Sequence, residues 1–263
     1  MSGTLYLIPC DLGSGTPLAH LPPQTLEVVA RLNHFVVEDA RSARRFLGAT
    51  GRTGLREIAM QTLNEHTAAH ALPALLAPLH QGFDVGLLSE AGCPAIADPG
   101  ADLMALAHRE CVKVVPLIGP SAILLALMAS GLGGQHFSFN GYLPVDTVAR
   151  QAALRALEAR SATDGSTQLF IETPYRSAAM LSALMQTCRS DTLITVATDL
   201  TLASEWIQTR SAAEWQAGPA ADLAGRPCVF ALRAGATSAI PSRLGPAPRH
   251  RKDSRRNAGP RVR

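Results

Sequence analysis

Aromatic residues are scarce in this chain: Phe, Tyr and Trp together make up only 5% of 263 residues. A core with few rings relies on aliphatic packing, and the dominance of Ala and Leu favours helices packed on sheets. Charged residues are also few, 17% against 47% hydrophobic, which excludes a disordered polyelectrolyte and supplies apolar surface for one large domain or two modest ones. No apolar run is long enough to span a bilayer, so no membrane association is expected; the longest run, Ala122 to Ala129, reads as a buried helix. The first residues lack a basic segment followed by an apolar one, so no signal peptide is expected. The five cysteines, Cys10, Cys93, Cys111, Cys188 and Cys228, are odd in number and form no C-x-x-C pair. They fit reduced thiols of a cytoplasmic protein better than a disulfide framework.

Several motifs are missing too. Neither G-x-G-x-x-G nor G-x-x-x-x-G-K-[ST] occurs, which argues against the familiar dinucleotide and triphosphate loops. Ser89 lies in "LSEAG" and not in G-x-S-x-G, so a hydrolase nucleophile elbow is unsupported. His66 and His70 sit four apart, but "HTAAH" lacks the internal Glu of a zinc protease and shows no third ligand; no metal is expected.

What charge there is lies unevenly. The formal net charge is +3, yet residues 241–263 alone hold eight Lys/Arg against one acid, Asp253. The remainder of the chain is therefore net acidic, with sixteen bases and twenty acids. With almost no apolar content, the stretch 239–263 reads as a disordered basic tail, either a solvated end of no specific role or an electrostatic contact for nucleic acid.

Short β runs alternate with helical periods, the pattern of an α/β protein with a largely parallel sheet. Strands are predicted at Thr4–Ile8, His34–Glu38, Val85–Ser89 and Val112–Pro116, with helices at Gln24–Leu32, Arg41–Leu47, Glu65–His80, Ala101–Arg109 and Ala122–Met128. The Gly-, Asn- and Pro-bearing stretch 133–148 reads as a linker. A second unit follows, with strands at Gln168–Glu172, Leu193–Thr198, Glu205–Thr209 and Cys228–Leu232 and helices at 148–160 and Arg176–Thr187, expected to form a mixed sheet. The expected division is an N-terminal α/β domain at 1–135, a C-terminal α/β domain at 136–238 and the tail.

Three strand-to-helix junctions of the first unit are rich in Gly and Pro: "IPCDLGSGTP", "EAGCPAIADPG" and "LIGPSA". Glycine allows close backbone approach and proline builds a rigid wall. In open α/β sheets, ligands bind beyond the carboxyl ends of the strands, where these three loops fall.

The pieces "GTLYLIP", "LPPQTLEVVARLNHFVVEDARSARRFL", "NEHT", "LLSEAGCPAIADPG", "VVPLIGPSAILLALMASGL", "FNGYLP" and "FIETPYR", with a weaker "DLTLASEW", run in one order from about residue 3 to residue 233. In that order the chain resembles the tetrapyrrole-methylase superfamily of S-adenosylmethionine-dependent methyltransferases. Within it the chain is most similar to the enzymes that methylate a cytidine ribose 2′-hydroxyl of small-subunit ribosomal RNA. The resemblance implies two α/β domains in a bilobed fold, S-adenosyl-L-methionine in the cleft between them, and a homodimer. By matched position it places Pro9, Cys10, Ala91, Gly92, Cys93, Ile96, Ser121, Ala122, Glu172 and Thr173 against the cofactor. The chain departs from the family pattern where "SEAGCP" stands for S-D-A-G-T-P, "EDAR" for E-D-T-R and "ETPYR" for E-S-P-H-R, and its first loop is longer.

A ribose hydroxyl is a poor nucleophile at neutral pH and needs a base or a cation nearby. Glu38, Asp39, Arg41 and Glu90 are the candidates, at two strand ends of one sheet edge. For Asp39 the alternative is a helix N-cap. Arg44, Arg45, His66, Tyr175 and Arg176 are candidate substrate contacts; the alternative for the arginines is a solvated helix face, and for His66 a surface position. Trp206 and Trp215 read as core. The expected function is methylation of ribosomal RNA. A small-molecule or protein acceptor, or a non-catalytic cofactor-binding relative, remains open. Deleting residues 241–263 is expected to weaken RNA binding and flatten its salt dependence, because released counterions set that slope. An unchanged slope in filter binding at graded salt would remove the tail from RNA contact.

Overall fold

The order of elements follows the alternation in the sequence. The computed structural model describes residues 2–235; the tail expected at 239–263 lies outside the described residues. The first half runs β1 (Thr4–Ile8), α1 (Pro17–His20), α2 (Pro23–Arg31), β2 (His34–Val37), α3 (Ala40–Ala49), β3 (Ala59–Thr62), α4 (Leu72–His80), β4 (Val85–Leu88), α5 (Gly100–Arg109), β5 (Lys113–Pro116) and α6 (Ala122–Ser130). The second runs β6 (Phe137–Tyr142), α7 (Thr147–Asp164), β7 (Thr167–Glu172), α8 (Ser177–Thr187), β8 (Leu193–Thr198), β9 (Trp206–Ser211), α9 (Ala212–Ala217) and β10 (Cys228–Arg233).

The first sheet is parallel, in the order β3-β2-β4-β1-β5. Its central strand β4 is buried along its whole length, as an unbroken apolar run should be. Leu21, Val29, Phe35 and Leu47 pack on one face, with α2 and α3. Leu75, Leu76, Leu87 and Leu103 pack on the other, with α4 and α5. The chain leaves β1 and β4, which are neighbours, in opposite directions, and this divergence opens a crevice at their carboxyl ends.

The second sheet is mixed, in the order β6-β7-β10-β8-β9, with only the β6–β7 pair parallel. Phe170 and Phe230 stack at 5.6 Å in the core under α7, α8 and α9. Trp215 is buried and donates its indole N–H to the Ile194 carbonyl at 2.9 Å, in keeping with a core role. The opposite face carries α6, whose Ala126 and Leu127 pack with Leu169, Ala197, Val229 and Ala231. Helix α6 thus follows the first sheet in sequence but packs on the second, and so ties the two together. Among the described residues no helix is long and apolar enough to cross a membrane. The five cysteines are free thiols; Cys10 and Cys228 are buried and Cys111 is exposed.

Three expectations need correction. The stretch read as a linker at 133–148 contains β6, which pairs with β7 from Phe137 to Tyr142 around an irregularity. Its Asn and Gly are bulge residues rather than linker residues. The helix expected over Glu65–His80 begins only at Leu72, after a single turn at Ala69–Ala71. A helix from residue 65 would hold Pro73 in its interior, where proline breaks the hydrogen-bond ladder; here Pro73 lies in the first turn. Before it, the Asn64 N–H bonds to Thr67 Oγ1 at 3.0 Å and the His66 N–H to Asn64 Oδ1 at 3.0 Å, which closes a turn. His66 and His70 therefore do not share a helix face. Lastly, α6 is not wholly buried: Leu124 and Met128 are 50% and 80% exposed.

Candidate active site

The Gly/Pro loops after β1, β4 and β5 meet at one edge of the first sheet. Cys10 and Gly92 pair through two backbone hydrogen bonds, Cys10 N–H to the Gly92 carbonyl at 2.8 Å and Gly92 N–H to the Cys10 carbonyl at 3.2 Å. The Cys10 thiol donates to the Ser89 carbonyl at 3.1 Å, and the Cys93 thiol to the Pro120 carbonyl at 3.5 Å. A Cβ added at Gly119 would overlap the ring of Pro9, so the third loop lies directly on the first. Within the β4 loop, Gly92, Ala95 and Ala97 all have left-handed backbone, with φ of 71°, 64° and 62°. Such backbone is strained for alanine and persists only where neighbours enforce it. Asp98 does so, accepting the N–H groups of Ala95 at 2.7 Å and Gly100 at 3.0 Å. Burial raises its carboxyl above the usual range, partly offset by those same N–H bonds.

A cavity of about 290 Å³ opens against these loops, lined by Ala91, Gly92, Cys93, Ile96, Ser121 and Ala122 together with Glu38 and Glu90. It adjoins a more apolar slot of about 190 Å³ that reaches the second sheet at Glu172, Ala197 and Cys228. The two share Leu12, Ala91, Ala122, Tyr142 and Ile171. Their combined scale suits a small organic ligand. Glu172 is 4% exposed. Its Oε1 accepts the Thr173 N–H at 2.6 Å and the Arg176 Nε–H at 2.8 Å, while Oε2 is buried without a partner. A buried carboxylate oxygen left unpaired is costly, so this wall is suited to a ligand that carries a hydroxyl or amine donor. A ribose and amine-bearing cofactor such as S-adenosylmethionine fits that demand and the apolar slot beside it.

A wider polar cavity of about 740 Å³ shares Glu38, Glu90, Asp98 and Tyr142 with the loop-walled one, and Asp39, Glu65 and His66 also line it. The Glu90 N–H donates to Glu38 Oε2 at 3.1 Å, so neighbouring strands β2 and β4 bring the two acids together. Burial raises the Glu38 carboxyl above its usual range; the Glu90 N–H opposes this, and the nearby Glu90 carboxylate reinforces it. Asp39 behaves differently. Its Oδ1 accepts the N–H groups of Ser42 at 2.7 Å and Arg41 at 3.0 Å as the cap of α3, and those bonds, led by Ser42, lower its pKa. A capping carboxylate of lowered pKa is a weak base.

Other sequence candidates fall outside these cavities. Pro9 and Cys10 are buried beneath the loops rather than at the cavity wall, and Thr173 meets Glu172 through its backbone. Arg41, Arg44 and Arg45 are exposed on α3. Tyr175 is 93% exposed, and the guanidinium of Arg176 is engaged by Glu172. The sequence reading did not name Leu12, Tyr142, Ile171 and Leu200, though they lie in loops and pieces it singled out, and it missed Ala197 and Cys228, which join the site through long-range packing.

No family model matches the chain. It is 37% identical over 205 residues to the ribosomal RNA small subunit methyltransferase I of Mesorhizobium japonicum, covering 78% of this chain and 66% of that protein. To the protein of the same name from Vibrio cholerae it is 33% identical over 210 residues, 80% of this chain and 69% of that one. The chain thus spans about two thirds of the length of these relatives. The fold is similar to the crystal structure of the methyltransferase CobJ, with a TM-score of 0.57 and 18% identity over 89% of this chain and 95% of that one.

Two outcomes are expected here. The Cβ of Gly92→Ala would meet only Leu12 Cδ2 at 3.4 Å and the Pro120 carbonyl oxygen at 3.9 Å, so space is available and the left-handed backbone is the constraint. Urea unfolding is expected to show a loss of about 1–2 kcal/mol for this variant; an unchanged midpoint would show that the loop relaxes freely. Glu38 has a raised folded pKa, so its stabilising contribution is fully present below the ordinary carboxylate pKa and is lost as pH rises through the raised value. Glu38→Gln is therefore expected to flatten the fall in stability from about pH 4 upward. Parallel stability curves for the two proteins would contradict it.

Proposed function

The chain belongs to the ribosomal RNA small subunit methyltransferase I family, and we propose that it methylates a ribose 2′-hydroxyl of small-subunit ribosomal RNA with S-adenosyl-L-methionine as donor. The observation that carries this reading is the pair of adjoining cavities. The slot with the orphaned Glu172 Oε2 adjoins the cavity walled by the Gly/Pro loops, and Glu38 and Glu90 line both that cavity and a wider polar one. Ala91–Cys93, Ser121–Ala122 and Glu172 would hold the cofactor, which supplies a methyl group on a sulfonium.

The remaining work belongs to the chain. The three loops, joined by the Cys10–Gly92 pair and by the Cys93 thiol on the Pro120 carbonyl, hold one reactant still, and fixed alignment is worth several kcal/mol in a displacement between two bound groups. Glu38 is the base of choice. Its raised pKa strengthens it as a proton acceptor, and the Glu90 N–H on Oε2 orients the carboxylate so that Oε1 is left to take the hydroxyl proton. Asp39, whose carboxylate is spent on the α3 N-terminus, positions Arg41 and the helix rather than the proton. Exposed Arg41, Arg44 and Arg45 on α3 supply phosphate contacts at the rim. A reduced, cytoplasmic setting agrees with five free thiols. A homodimer agrees with exposed Ile118, Leu124 and Met128 on and beside α6.

With labelled S-adenosylmethionine and small-subunit particles that lack the modification, Glu38→Gln is expected to lower turnover about 10²–10⁴-fold at saturating cofactor. Asp39→Asn is expected to stay within a few-fold of wild type. Wild-type turnover in Glu38→Gln would remove the base, and absence of label from RNA with the wild-type protein would overturn the ribosomal reading. Sedimentation velocity tests the dimer: Met128→Glu is expected to shift the protein toward monomer, and a monomeric wild type would refute this interface.

A further inference from the structure

Resting on that reading, we infer that Tyr142 is a stacking platform for the base of the acceptor nucleotide. It lines all three adjoining cavities, the apolar slot, the loop-walled cavity and the polar acceptor space. Of the twelve Phe, Tyr and Trp residues in the chain, it alone lies on any of those walls. It is 55% exposed, so its ring is open to a ligand.

The backbone is built to aim this ring. Strand β6 pairs Phe139 with Leu169, then Tyr142 with Ile171, so three steps along β6 match two along β7. Such a bulge re-aims the side chain that follows it. With regular alternation Tyr142 would face away from Phe139. The added residue turns it to the side of Phe139 and Ile171, the face that packs toward α6 and the cleft. Gly141 takes the left-handed backbone this needs, with φ of 61°. The Asn140 side-chain amide fixes the bulge, donating to the Leu169 carbonyl at 3.1 Å and to Gln168 Oε1 at 3.2 Å.

The charge of the acceptor space points to the same role. Glu38, Asp39, Glu65, Glu90 and Asp98 line it, with His66 the only basic side chain on the wall among the described residues. Acidic walls repel phosphate, so a nucleotide cannot be held there by its backbone. Stacking on a ring is neutral and serves any base. A base on Tyr142 would leave its ribose between the acids and the cofactor cavity, because Tyr142 borders both.

The test compares Tyr142→Ala, Tyr142→Phe and Tyr142→Leu with wild type in three readouts: KM and kcat for small-subunit particles, filter binding of single-stranded RNA, and calorimetric binding of S-adenosylmethionine. Tyr142→Ala is expected to raise KM and weaken RNA binding about tenfold or more, with a smaller loss of cofactor affinity. Phe should restore function and Leu should not. Full rescue by Leu, or a loss confined to cofactor affinity, would overturn the platform. So would unchanged RNA binding in Tyr142→Ala while wild type methylates the particles. Weakened RNA binding in Tyr142→Ala without methyl transfer by wild type would instead sustain the platform and sink the functional reading beneath it.

Discussion

The paired backbone hydrogen bonds between Cys10 and Gly92 are the constraint on which the rest of the site depends. They carry the contact of β1 and β4 past the end of the sheet into two loops that would otherwise diverge to opposite faces. With this pair in place, Gly92 has to be left-handed, Cys93 reaches the Pro120 carbonyl, and the β5 loop closes on Pro9. Asp98 holds the next turn of the same loop against strained alanines. A rigid wall follows from these few contacts. Helix α6 starts from it, with Ser121 as its cap, and crosses to the second sheet. The cleft is therefore bounded by two sheets that one helix and its leading loop hold in register.

Electrostatics divides the cleft. On one side the slot is mostly apolar, apart from Asp199, which is paired with Arg226, and Glu172, whose charge is held by Arg176 and whose second oxygen has no partner. On the other, carboxylates crowd together where β2 and β4 end. Two of these acids differ by one residue in sequence and by opposite shifts in acidity. Burial raises Glu38, whereas the helix N–H groups lower Asp39. The two acids differ in what they hold: Asp39 caps the N-terminus of α3, whereas Glu38 accepts the Glu90 N–H. Arg41, Arg44 and Arg45 lie outside this pocket, exposed on α3.

Much of this was legible in the sequence. Strand β4 reads directly from its apolar run, and the Gly/Pro content of three loops at one sheet edge announces a ligand wall. The matched residues Ala91, Gly92, Cys93, Ile96, Ser121 and Ala122 do come together around one cavity. What escaped was set by distant partners. The "FNGY" stretch has the composition of a linker, and only pairing with β7 makes it a bulged strand. The helix start at Leu72 depends on where Pro73 is tolerated, not on hydrophobic period. Ala197 and Cys228 carry no motif and reach the slot through packing of the second sheet on α6. The N-cap alternative for Asp39 was open in the sequence, and two N–H bonds decide for it.

Co-crystallisation with S-adenosylhomocysteine tests the cleft assignment most directly. The expected result is a ligand against Ala91–Cys93 and Ser121–Ala122, with a hydroxyl or amine donor within about 3 Å of Glu172 Oε2. The thioether sulfur should face Glu38 and Glu90. A ligand bound elsewhere, or one that leaves Glu172 Oε2 unpaired, would contradict it.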